Sequence, residues 1–376
     1  MTDKQYKPVR AIISGGGTGG HIFPALSIGS KLKETNPDSE ILFVGAQGRM
    51  EMEKVPAAGF EIIGLPVNGL QRKLTLSNLT LPFKLIKSIR MARKILKEFK
   101  PDIAIGVGGY ASAPLLWAAE SLNIPTLIQE QNGYAGLTNK ILGKKAKKIC
   151  VAYEGMDRFF PAEKIVMTGN PIRKEITPAT AQTRKEAFEF YNLDPQKKHI
   201  FIVGGSLGSG TLNNAMKKWI EDGCPGGENA EIIWQCGKYY KASVDNFMMK
   251  YGRAGIQHFD FIKRMDLAYA AADVVISRSG ASSVSELCAA RKATIFVPSP
   301  NVAEDHQTHN AMALVNKNAA ILVKDSEACD ILMKTACELL SEPDKISEME
   351  KNIASLALPD AAMSIVEEIY QIVGQR

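Results

Sequence analysis

Short apolar runs alternate with longer segments of helical spacing along the chain. In the first half the apolar runs are three to six residues long, as buried strands are, and they fall at residues 9–14, 41–44, 61–65, 103–107, 126–128, 148–151 and 165–167. Segments in which apolar residues recur every three or four positions, such as residues 22–32, separate them. Strands that alternate with helices predict a parallel sheet with helices on both faces, so the predicted fold class is α/β.

The second half repeats this plan. Apolar runs at residues 200–203, 232–235, 257–261, 274–277 and 294–297 predict further strands. Each half begins with a strand, a glycine-rich loop and a helix, which predicts two doubly wound parallel-sheet domains. Pro171 and Pro178 bracket a polar stretch, where we place the domain boundary. We expect an N-terminal domain of residues 1–169, a C-terminal domain of residues 170–358, and a terminal helix in residues 359–376 that packs back toward the N-terminal domain.

Glycine-rich or polar loops follow several of the predicted strands. The first glycine loop (residues 15–21), residues 106–110 and residues 129–133 lie at carboxyl ends in the first half, and the second glycine loop (residues 204–209) does so in the second half. Ligands of such sheets bind at the carboxyl ends of strands, so we expect the first three loops to line one cleft. The first glycine loop ends in His21, and the strand after it offers no acidic residue for a ribose, which argues against a dinucleotide site.

The segment from Ser279 to Glu286 joins a predicted strand to a predicted helix through Gly280. A helix start presents unpaired N–H groups and the positive end of the peptide dipoles, so it favours a phosphate. The Glu286 carboxylate can accept hydrogen bonds from a ribose diol. The alternative is structural: Ser282 is an N-cap, and Glu286 only stabilises the helix.

Two further side chains lie beside the expected cleft. His21 stands at a helix start, where a neutral imidazole suits a general base, and its alternative role is a hydrogen bond to the loop backbone. Arg173 follows the strand at residues 165–167, where its guanidinium can bind a phosphate, and its alternative role is a surface ion pair.

Residues 70–100 carry nine Lys and Arg against one acid, Glu98, together with many leucines and isoleucines. From Pro82 onward the pattern predicts an amphipathic basic helix, and the part before it predicts a loop with exposed leucines. This combination favours an anionic membrane surface, and the alternative is an ordinary helix with a solvated basic face. Nucleic acid is disfavoured because no aromatic stacking platform accompanies the charge.

Composition and charge narrow the class of protein. The chain has 376 residues and a net charge of +6, and residues 1–170 hold 23 Lys and Arg against 14 Asp and Glu. The six cysteines are scattered, which favours a reducing compartment. The sequence shows no signal peptide and no apolar run of about 20 residues, so we expect a protein of the cytosol or of the cytosolic face of a membrane. It contains no P-loop and no spacing typical of metal ligands.

Seven separated motifs occur in the order seen in one enzyme family. They are residues 15–21 (GGGTGGH), 108–110 (GGY), 130–132 (EQN), 169–173 (GNPIR), 204–206 (GGS), 278–281 (RSGA) with Glu286, and 306–307 (HQ). By these motifs the chain resembles the GT-B glycosyltransferases and, among them, the bacterial family 28 N-acetylglucosaminyltransferases that convert lipid I to lipid II in peptidoglycan synthesis. The resemblance covers nearly the whole chain and implies two Rossmann-like domains facing a cleft.

The resemblance implies an inverting transfer of N-acetylglucosamine from UDP-N-acetylglucosamine to the C4 hydroxyl of the MurNAc of lipid I, without a metal or other cofactor. His21 is the expected base, and Glu130 and Tyr110 are further catalytic candidates. The residues implied in donor binding are Thr18, Gly19, Gly20, Asn132, Arg173, Ser206, Phe261, Ile262, Ser282, Ser283, Glu286, His306 and Gln307.

Within the donor set the resemblance implies separate tasks. Glu286 would hold the ribose hydroxyls, Phe261 and Ile262 would contact uracil, and His306 and Gln307 would bind the sugar hydroxyls. The residues implied at the phosphates are Arg173, Ser206, Ser282 and Ser283. The sequence departs from relatives at Ser282, where some carry an apolar residue, and at Leu207, where others often carry Gln.

The lipid-linked acceptor would enter over the first domain, near Thr18, His21, Tyr110 and Asn132. The residues implied in membrane or acceptor contact are Leu74, Leu76, Leu79, Phe83, Lys84, Lys87 and Arg90. The resemblance therefore implies a peripheral protein on the cytoplasmic face of the bacterial plasma membrane, with cell-wall or division proteins as further candidate partners. The rival hypotheses are another GT-B transferase, a UDP-sugar 2-epimerase, and a non-catalytic sugar-nucleotide-binding or scaffold protein.

Overall fold

The computed structural model describes residues 6–67, 81–205 and 207–374. Leu74, Leu76, Leu79 and Ser206, four of the predicted site residues, lie outside the described residues. The chain divides into two compact units, one formed by Met1–Ile172 with Pro359–Arg376 and the other by Arg173–Leu358.

The first unit is built on a seven-stranded parallel sheet. Its strands are β1 (Arg10–Gly15), β2 (Glu40–Ala46), β3 (Glu61–Leu65), β4 (Ile103–Gly108), β5 (Thr126–Glu130), β6 (Lys148–Val151) and β7 (Ile165–Met167). They lie in the order β3-β2-β1-β4-β5-β6-β7, and each neighbouring pair is parallel. The helices between them are α1 (Gly19–Thr35), α2 (Glu51–Ala57), α3 (Leu81–Phe99), α4 (Ser112–Ser121) and α5 (Leu137–Leu142).

The second unit is built on a six-stranded parallel sheet. Its strands are β8 (Lys198–Val203), β9 (Ala230–Gln235), β10 (Ile256–Phe259), β11 (Val274–Ser277), β12 (Thr294–Phe296) and β13 (Ile321–Leu322), in the order β10-β9-β8-β11-β12-β13. Its helices are α6 (Ala181–Tyr191), α7 (Gly210–Glu221), α8 (Lys241–Tyr251), α9 (Met265–Ala271), α10 (Ala281–Ala290), α11 (His306–Val315), α12 (Ala328–Leu340) and α13 (Pro343–Ala354). The predicted α/β class with two parallel sheets is confirmed.

Helices cover both faces of the first sheet. Alternate residues of a strand point to opposite sides, so they pack against different helices. In β1, Ala11 and Ile13 pack in one cluster with α1 and with the last helix, α14 (Ala361–Val373). Ile12, between them, packs in a second cluster with α3 and α4. A strand buried on both faces has no polar side to alternate with, which explains the continuous apolar runs in the sequence.

Both sheets reverse their strand order at one point. In the first sheet β1 lies between β2 and β4, and in the second sheet β8 lies between β9 and β11. Chain connections leave such a point in opposite directions, and the crevice that forms outside the carboxyl ends is where open α/β sheets bind ligands. The first glycine loop follows β1 and the second glycine loop follows β8, so each stands at such a switch point.

The structure corrects two local expectations. Helix α10 begins at Ala281 with Gly280 as its N-cap and no side-chain cap, so the interpretation of Ser282 as an N-cap is wrong. Strand β13 was not predicted, because two residues at a sheet edge give too short an apolar run to recognise. The predicted helix from Pro82 is α3, which begins one residue earlier.

Helix α14 contributes four fully buried side chains to the core of the first unit, namely Ile365, Val366, Ile369 and Tyr370. We predict that Ile369→Ala lowers the free energy of unfolding by about 2–5 kcal/mol, because it leaves a cavity in that core. The exposed neighbour Gln371 is the control position. Thermal or urea unfolding measures both, and equal losses in Ile369→Ala and Gln371→Ala would contradict the packing described.

Candidate functional site

A ring nitrogen of His21 contacts two other residues of the first glycine loop. Nδ1 of His21 lies 3.1 Å from the carbonyl oxygen of Gly16 and 3.3 Å from Oγ1 of Thr18. A carbonyl oxygen only accepts hydrogen bonds, so this contact requires the proton on Nδ1, and in the neutral ring Nε2 then carries the lone pair. This is the tautomer that a general base acting through Nε2 requires.

At the end of β4, Gly108 and the next residue, Gly109, lie close to the first glycine loop. A Cβ atom on Gly108 would lie 2.7 Å from Cδ2 of His21, and one on Gly109 would lie 2.3 Å from the carbonyl oxygen of Gly16. Both glycines also have positive φ, +99° and +91°, which other residues rarely adopt. Ser112 fixes the approach, since its hydroxyl lies 2.9 Å from the Ser14 carbonyl and 3.0 Å from the Gly108 carbonyl.

Glu51 is a buried carboxylate beside the first glycine loop that sequence reasoning missed. It opens α2 and is 1% exposed. Its Oε2 accepts a hydrogen bond from the Gly17 N–H at 2.9 Å and its Oε1 accepts one from the Ala46 N–H at 3.0 Å. The expectation of no acidic residue holds for the carboxyl end of β2, which is Gly45-Ala46, but not for the segment that follows it. Glu51 follows five residues after the end of β2, and its carboxylate binds the backbone of the first glycine loop.

Glu130 lies in a network that shapes the loop after β5. Its Oε2 accepts from the Gly136 N–H at 3.1 Å and from Nδ2 of Asn139 at 2.9 Å, while its Oε1 accepts from the Asn132 N–H at 3.2 Å. The carboxylate is 2% exposed. These bonds indicate that Glu130 positions the loop that carries Asn132, and they favour that role over proton transfer.

The other predicted residues of the first unit lie at its loop surface. Tyr110 is 46% exposed and has the Arg49 guanidinium 6.0 Å from its ring centre. Thr18 is the N-cap of α1, and Gly19 and Gly20 form the first positions of that helix. The orphan N–H groups of such a helix start can bind an anion.

In the second unit, Glu286 and Arg173 bind each other. The Arg173 guanidinium donates from Nε to Oε1 at 2.8 Å and from Nη2 to Oε2 at 2.7 Å. The Glu286 side chain is 8% exposed, whereas that of Arg173 is 46% exposed. Tyr269 lies 3.4 Å from Oε2, and burial raises the pKa of Tyr269 well above its usual range, so its hydroxyl stays protonated and donates to Glu286.

The start of α10 is open above its first turn. A Cβ atom on Gly280 would meet nothing within 4 Å, and Ser282 and Ser283 follow in the first turn, half-buried. The Ser279 side chain donates to the Gln307 carbonyl at 2.9 Å and so ties this turn to the start of α11. Because the first-turn N–H groups have no partners inside the helix, this end suits a phosphate.

Helix α11 begins after two residues in the left-handed region. Glu304 has φ 52° and Asp305 has φ 48°, conformations that cost free energy in non-glycine residues and that cluster at functional sites. His306 and Gln307 follow directly, and Oε1 of Gln307 accepts from the Ser299 N–H at 2.9 Å. The structure thus brings the predicted pair His306 and Gln307 to the turn that also carries Ser279.

Two further side chains, to which the sequence analysis gave no role, hold the loops of the second unit in place. Gln235 donates to the Gly205 carbonyl at 2.9 Å and accepts from the Ile262 N–H at 2.9 Å, so it joins the second glycine loop to the loop carrying Phe261. Phe261 is 49% exposed, but Ile262 is 2% exposed, so the Ile262 side chain belongs to the core.

Arg278 is the second of them. Its guanidinium donates to Oγ of Ser209 at 2.7 Å and to the Val297 carbonyl at 2.8 Å, and it forms an ion pair with Asp325. In the sequence analysis Arg278 appeared only as part of the motif at residues 278–281. The contacts of Gln235 and Arg278 could not be predicted, because their partners lie far away in sequence.

Helix α3 shows the amphipathic pattern that the sequence predicts. Phe83 is 75% exposed, and Lys87 and Arg90 are exposed on the same helix, while Lys84 is half-buried. Across the described parts of the chain, no helix is long and apolar enough to cross a membrane. No group of three or more His, Cys, Asp or Glu side chains able to hold a metal ion occurs among residues 6–67, 81–205 and 207–374.

Two family models match the chain. The glycosyltransferase family 28 N-terminal domain matches residues 11–151, and the glycosyltransferase family 28 C-terminal domain matches residues 199–365. The chain belongs to glycosyltransferase family 28. The two matched regions contain the two sheets, apart from β7 and the first residues of β1 and β8.

Relatives in this family match over nearly the full length. A protein of Parabacteroides distasonis named UDP-N-acetylglucosamine--N-acetylmuramyl-(pentapeptide) pyrophosphoryl-undecaprenol N-acetylglucosamine transferase is 52% identical, over 98% of this chain and 99% of its own. A protein of Bacteroides fragilis with the same name is 53% identical, over 98% and 96%.

Solved structures show the same architecture. The crystal structure of Acinetobacter baumannii MurG is 30% identical and matches with a TM-score of 0.77, over 97% of this chain and 100% of that one. A UDP-GlcNAc 2-epimerase from Neisseria meningitidis bound to UDP-GlcNAc matches with a TM-score of 0.65 over 97% and 100%, but at 13% identity it shares only the fold. The predicted GT-B fold of this family 28 protein is confirmed.

The ion pair of Arg173 with the buried Glu286 predicts a loss of stability when the cation is removed. We expect Arg173→Met to lower the free energy of unfolding by about 1–3 kcal/mol, since it leaves a buried carboxylate without its strongest donor. Arg264→Met is the matched control, because Arg264 makes a similar two-pronged bond to Asp266 on the surface, where such pairs contribute little. Urea unfolding of both variants measures the difference, and similar midpoints would refute it.

Proposed function

We propose that this chain is the inverting glycosyltransferase that moves N-acetylglucosamine from UDP-N-acetylglucosamine to the C4 hydroxyl of the MurNAc of lipid I and so forms lipid II. The observation that carries the proposal is the match to relatives named for this transfer, 52% identical along 98% of the chain. The His21 tautomer, the helix start at α10 and the buried Glu286 supply chemistry that the reaction needs.

In the second unit we assign the nucleotide. The α10 start with Ser282 and Ser283, together with Ser206, binds the phosphates, and the exposed Phe261 ring contacts uracil beside the backbone of Ile262. Glu286 accepts hydrogen bonds from the ribose hydroxyls. For this, Arg173 exchanges its bonds to Glu286 for bonds to a phosphate oxygen, which a half-exposed guanidinium can do by rotating its side chain. His306 and Gln307 bind the sugar hydroxyls.

In the first unit we assign the acceptor to the surface near Thr18, His21, Tyr110 and Asn132, with Gly19, Gly20, Thr18 and Asn132 also contacting the donor. The acceptor C4 oxygen attacks the anomeric carbon and its proton passes to Nε2 of His21. The bond from that carbon to the phosphate oxygen breaks, and UDP leaves with the electron pair. Backbone N–H groups and the Arg173 guanidinium stabilise the leaving charge, so the proposed reaction uses no metal.

We assign α3 to the membrane. Phe83 and Ile86 are exposed on a helix that also exposes Lys87 and Arg90, which suits an anionic lipid surface. Leu74, Leu76, Leu79 and Lys84 belong to the same assignment. The protein then acts as a peripheral protein on the cytoplasmic face of the bacterial plasma membrane, where its lipid-linked acceptor lies.

The proposed function is tested by mixing the protein with labelled UDP-N-acetylglucosamine and a short-chain lipid I analogue in the presence of EDTA. We expect label to appear in the lipid product. Tight UDP binding without transfer would reject lipid I as the acceptor. Transfer that EDTA abolishes and Mg²⁺ restores would reject the metal-independent mechanism.

His21→Ala should lower kcat by at least about 100-fold with little change in donor affinity, because the variant lacks the base that takes the hydroxyl proton. Steady-state kinetics with the lipid I analogue measures kcat, and titration with UDP measures donor binding. His258→Ala is the control, since His258 bonds to Asp245 and has no proposed role in the reaction. An unchanged turnover in His21→Ala would remove His21 from the mechanism.

Glu286→Ala should weaken UDP binding by about 10- to 100-fold, because charge-assisted hydrogen bonds to the ribose are lost. The sharper readout compares UDP with 2′-deoxy-UDP by calorimetry. The unsubstituted protein should discriminate between them, and the variant should bind both equally. Discrimination that survives in Glu286→Ala would place the ribose elsewhere.

A further inference from the structure

One peptide group lies between two side chains in the first unit. The peptide that joins Gly16 to Gly17 receives the His21 Nδ1–H on its carbonyl oxygen, at 3.1 Å. The same peptide donates its N–H to Oε2 of Glu51, at 2.9 Å. Glu51 and His21 are therefore connected through a single planar peptide unit, with a hydrogen bond at each end.

Glu51 is built into this place. It is 1% exposed, and its second oxygen accepts from the Ala46 N–H at the end of β2. A Cβ atom on Gly16 would lie 2.3 Å from Oε1 of Glu51, and one on Gly45 would lie 2.6 Å from its Cγ. The carboxylate thus occupies a slot that exists only because both neighbours are glycines.

The arrangement has a physical consequence for the imidazole. A carboxylate that accepts an N–H bond makes one of the stronger hydrogen bonds in a protein, and it polarises the peptide that donates. A polarised peptide has a more negative carbonyl oxygen, which binds the Nδ1–H more firmly. Catalytic histidines are commonly oriented by a third group bonded to the nitrogen that does not react. Here the third group acts across one peptide bond.

We propose that Glu51 is a positioning residue for His21: it fixes the Gly16–Gly17 peptide so that the carbonyl holds Nδ1–H and presents Nε2 to the acceptor hydroxyl. The catalytic part of this inference rests on the proposed function, because it needs His21 as the base. The competing explanation is that Glu51 only stabilises the start of α2, where a carboxylate meets the favourable end of the helix dipole.

The first test observes the imidazole directly and needs no substrate. Two-bond ¹H–¹⁵N spectra of protein labelled at histidine report which ring nitrogen carries the proton, and the His21→Ala variant identifies the signals of His21. We expect the Nδ1–H tautomer in the unsubstituted protein. In Glu51→Gln, whose amide cannot accept from both N–H groups, we expect a mixture of tautomers. Glu53→Gln, an exposed change in the same helix, should leave the spectrum unaltered.

An Nε2–H tautomer in the unsubstituted protein would overturn the proposal without any variant, so the test holds even if Glu51→Gln fails to fold. A folded Glu51→Gln protein with the original His21 signals would overturn it too. The thermal midpoint reports whether the variant is folded.

The second test is a double-mutant cycle on kcat with the lipid I analogue. Glu51→Gln alone should lower kcat by about 10- to 100-fold with less than about a twofold change in the KM for the donor. In a His21→Ala background the same change should have no further effect, because a residue that acts only through His21 has nothing left to position. An equal loss in both backgrounds would show a merely structural role.

The two tests separate this inference from the proposed function. If the unsubstituted protein transfers no sugar, or if His21→Ala is fully active, the proposed function or its base is wrong. The tautomer comparison would still decide whether Glu51 controls His21.

Discussion

The backbone of the first glycine loop touches the backbone of the loop after β4, and the chemistry of the first unit depends on that contact. Gly109 has no side chain to separate it from the Gly16 carbonyl, and Gly108 has none to displace the His21 ring. The contact places the Gly16–Gly17 peptide so that its carbonyl oxygen lies 3.1 Å from Nδ1 of His21. A side chain at Gly108 would meet the imidazole, and one at Gly109 would meet the Gly16 carbonyl that lies beside it.

In the second unit, buried charged side chains hold the loops in place. Glu286 is held by Arg173 and Tyr269, and Arg278 joins the second glycine loop to the loop after β12. Buried charges of this kind are costly unless they are paired and hydrogen-bonded. In the proposed function, a ribose and two phosphates would replace the partners that the protein itself supplies to these charges around the start of α10.

Much of the fold follows from sequence because the strands are buried on both faces. A continuous apolar run between helical segments leaves little choice, so the buried strands β6 and β11 were predicted at their observed limits. The half-buried edge strands β3 and β7 were predicted at their limits as well. Helix α10 was predicted to follow Gly280, as it does, but its cap was not predicted, since Gly280 and Ser282 both suit a helix start. The edge strand β13 has too few residues to leave a periodic signal.

Contacts between distant residues could not be predicted in the same way. Arg173 and Glu286 are 113 positions apart, and separate reasoning assigned one to a phosphate and the other to a ribose. In the sequence, Glu51 resembles any acidic residue at the start of a helix. Only the fold shows that Gly16 and Gly45 leave room for its carboxylate. The sequence indicates candidate residues, and the structure shows which of them contact one another.

We propose that this family 28 protein joins the two sugars with inversion. The most direct measurement is the NMR spectrum of the product formed from UDP-N-acetylglucosamine and a soluble lipid I analogue. We predict a β-linked N-acetylglucosamine on C4 of MurNAc, with UDP released in equal amount. An α-linked product, or UDP-N-acetylmannosamine as a 2-epimerase reaction would give, would contradict this prediction.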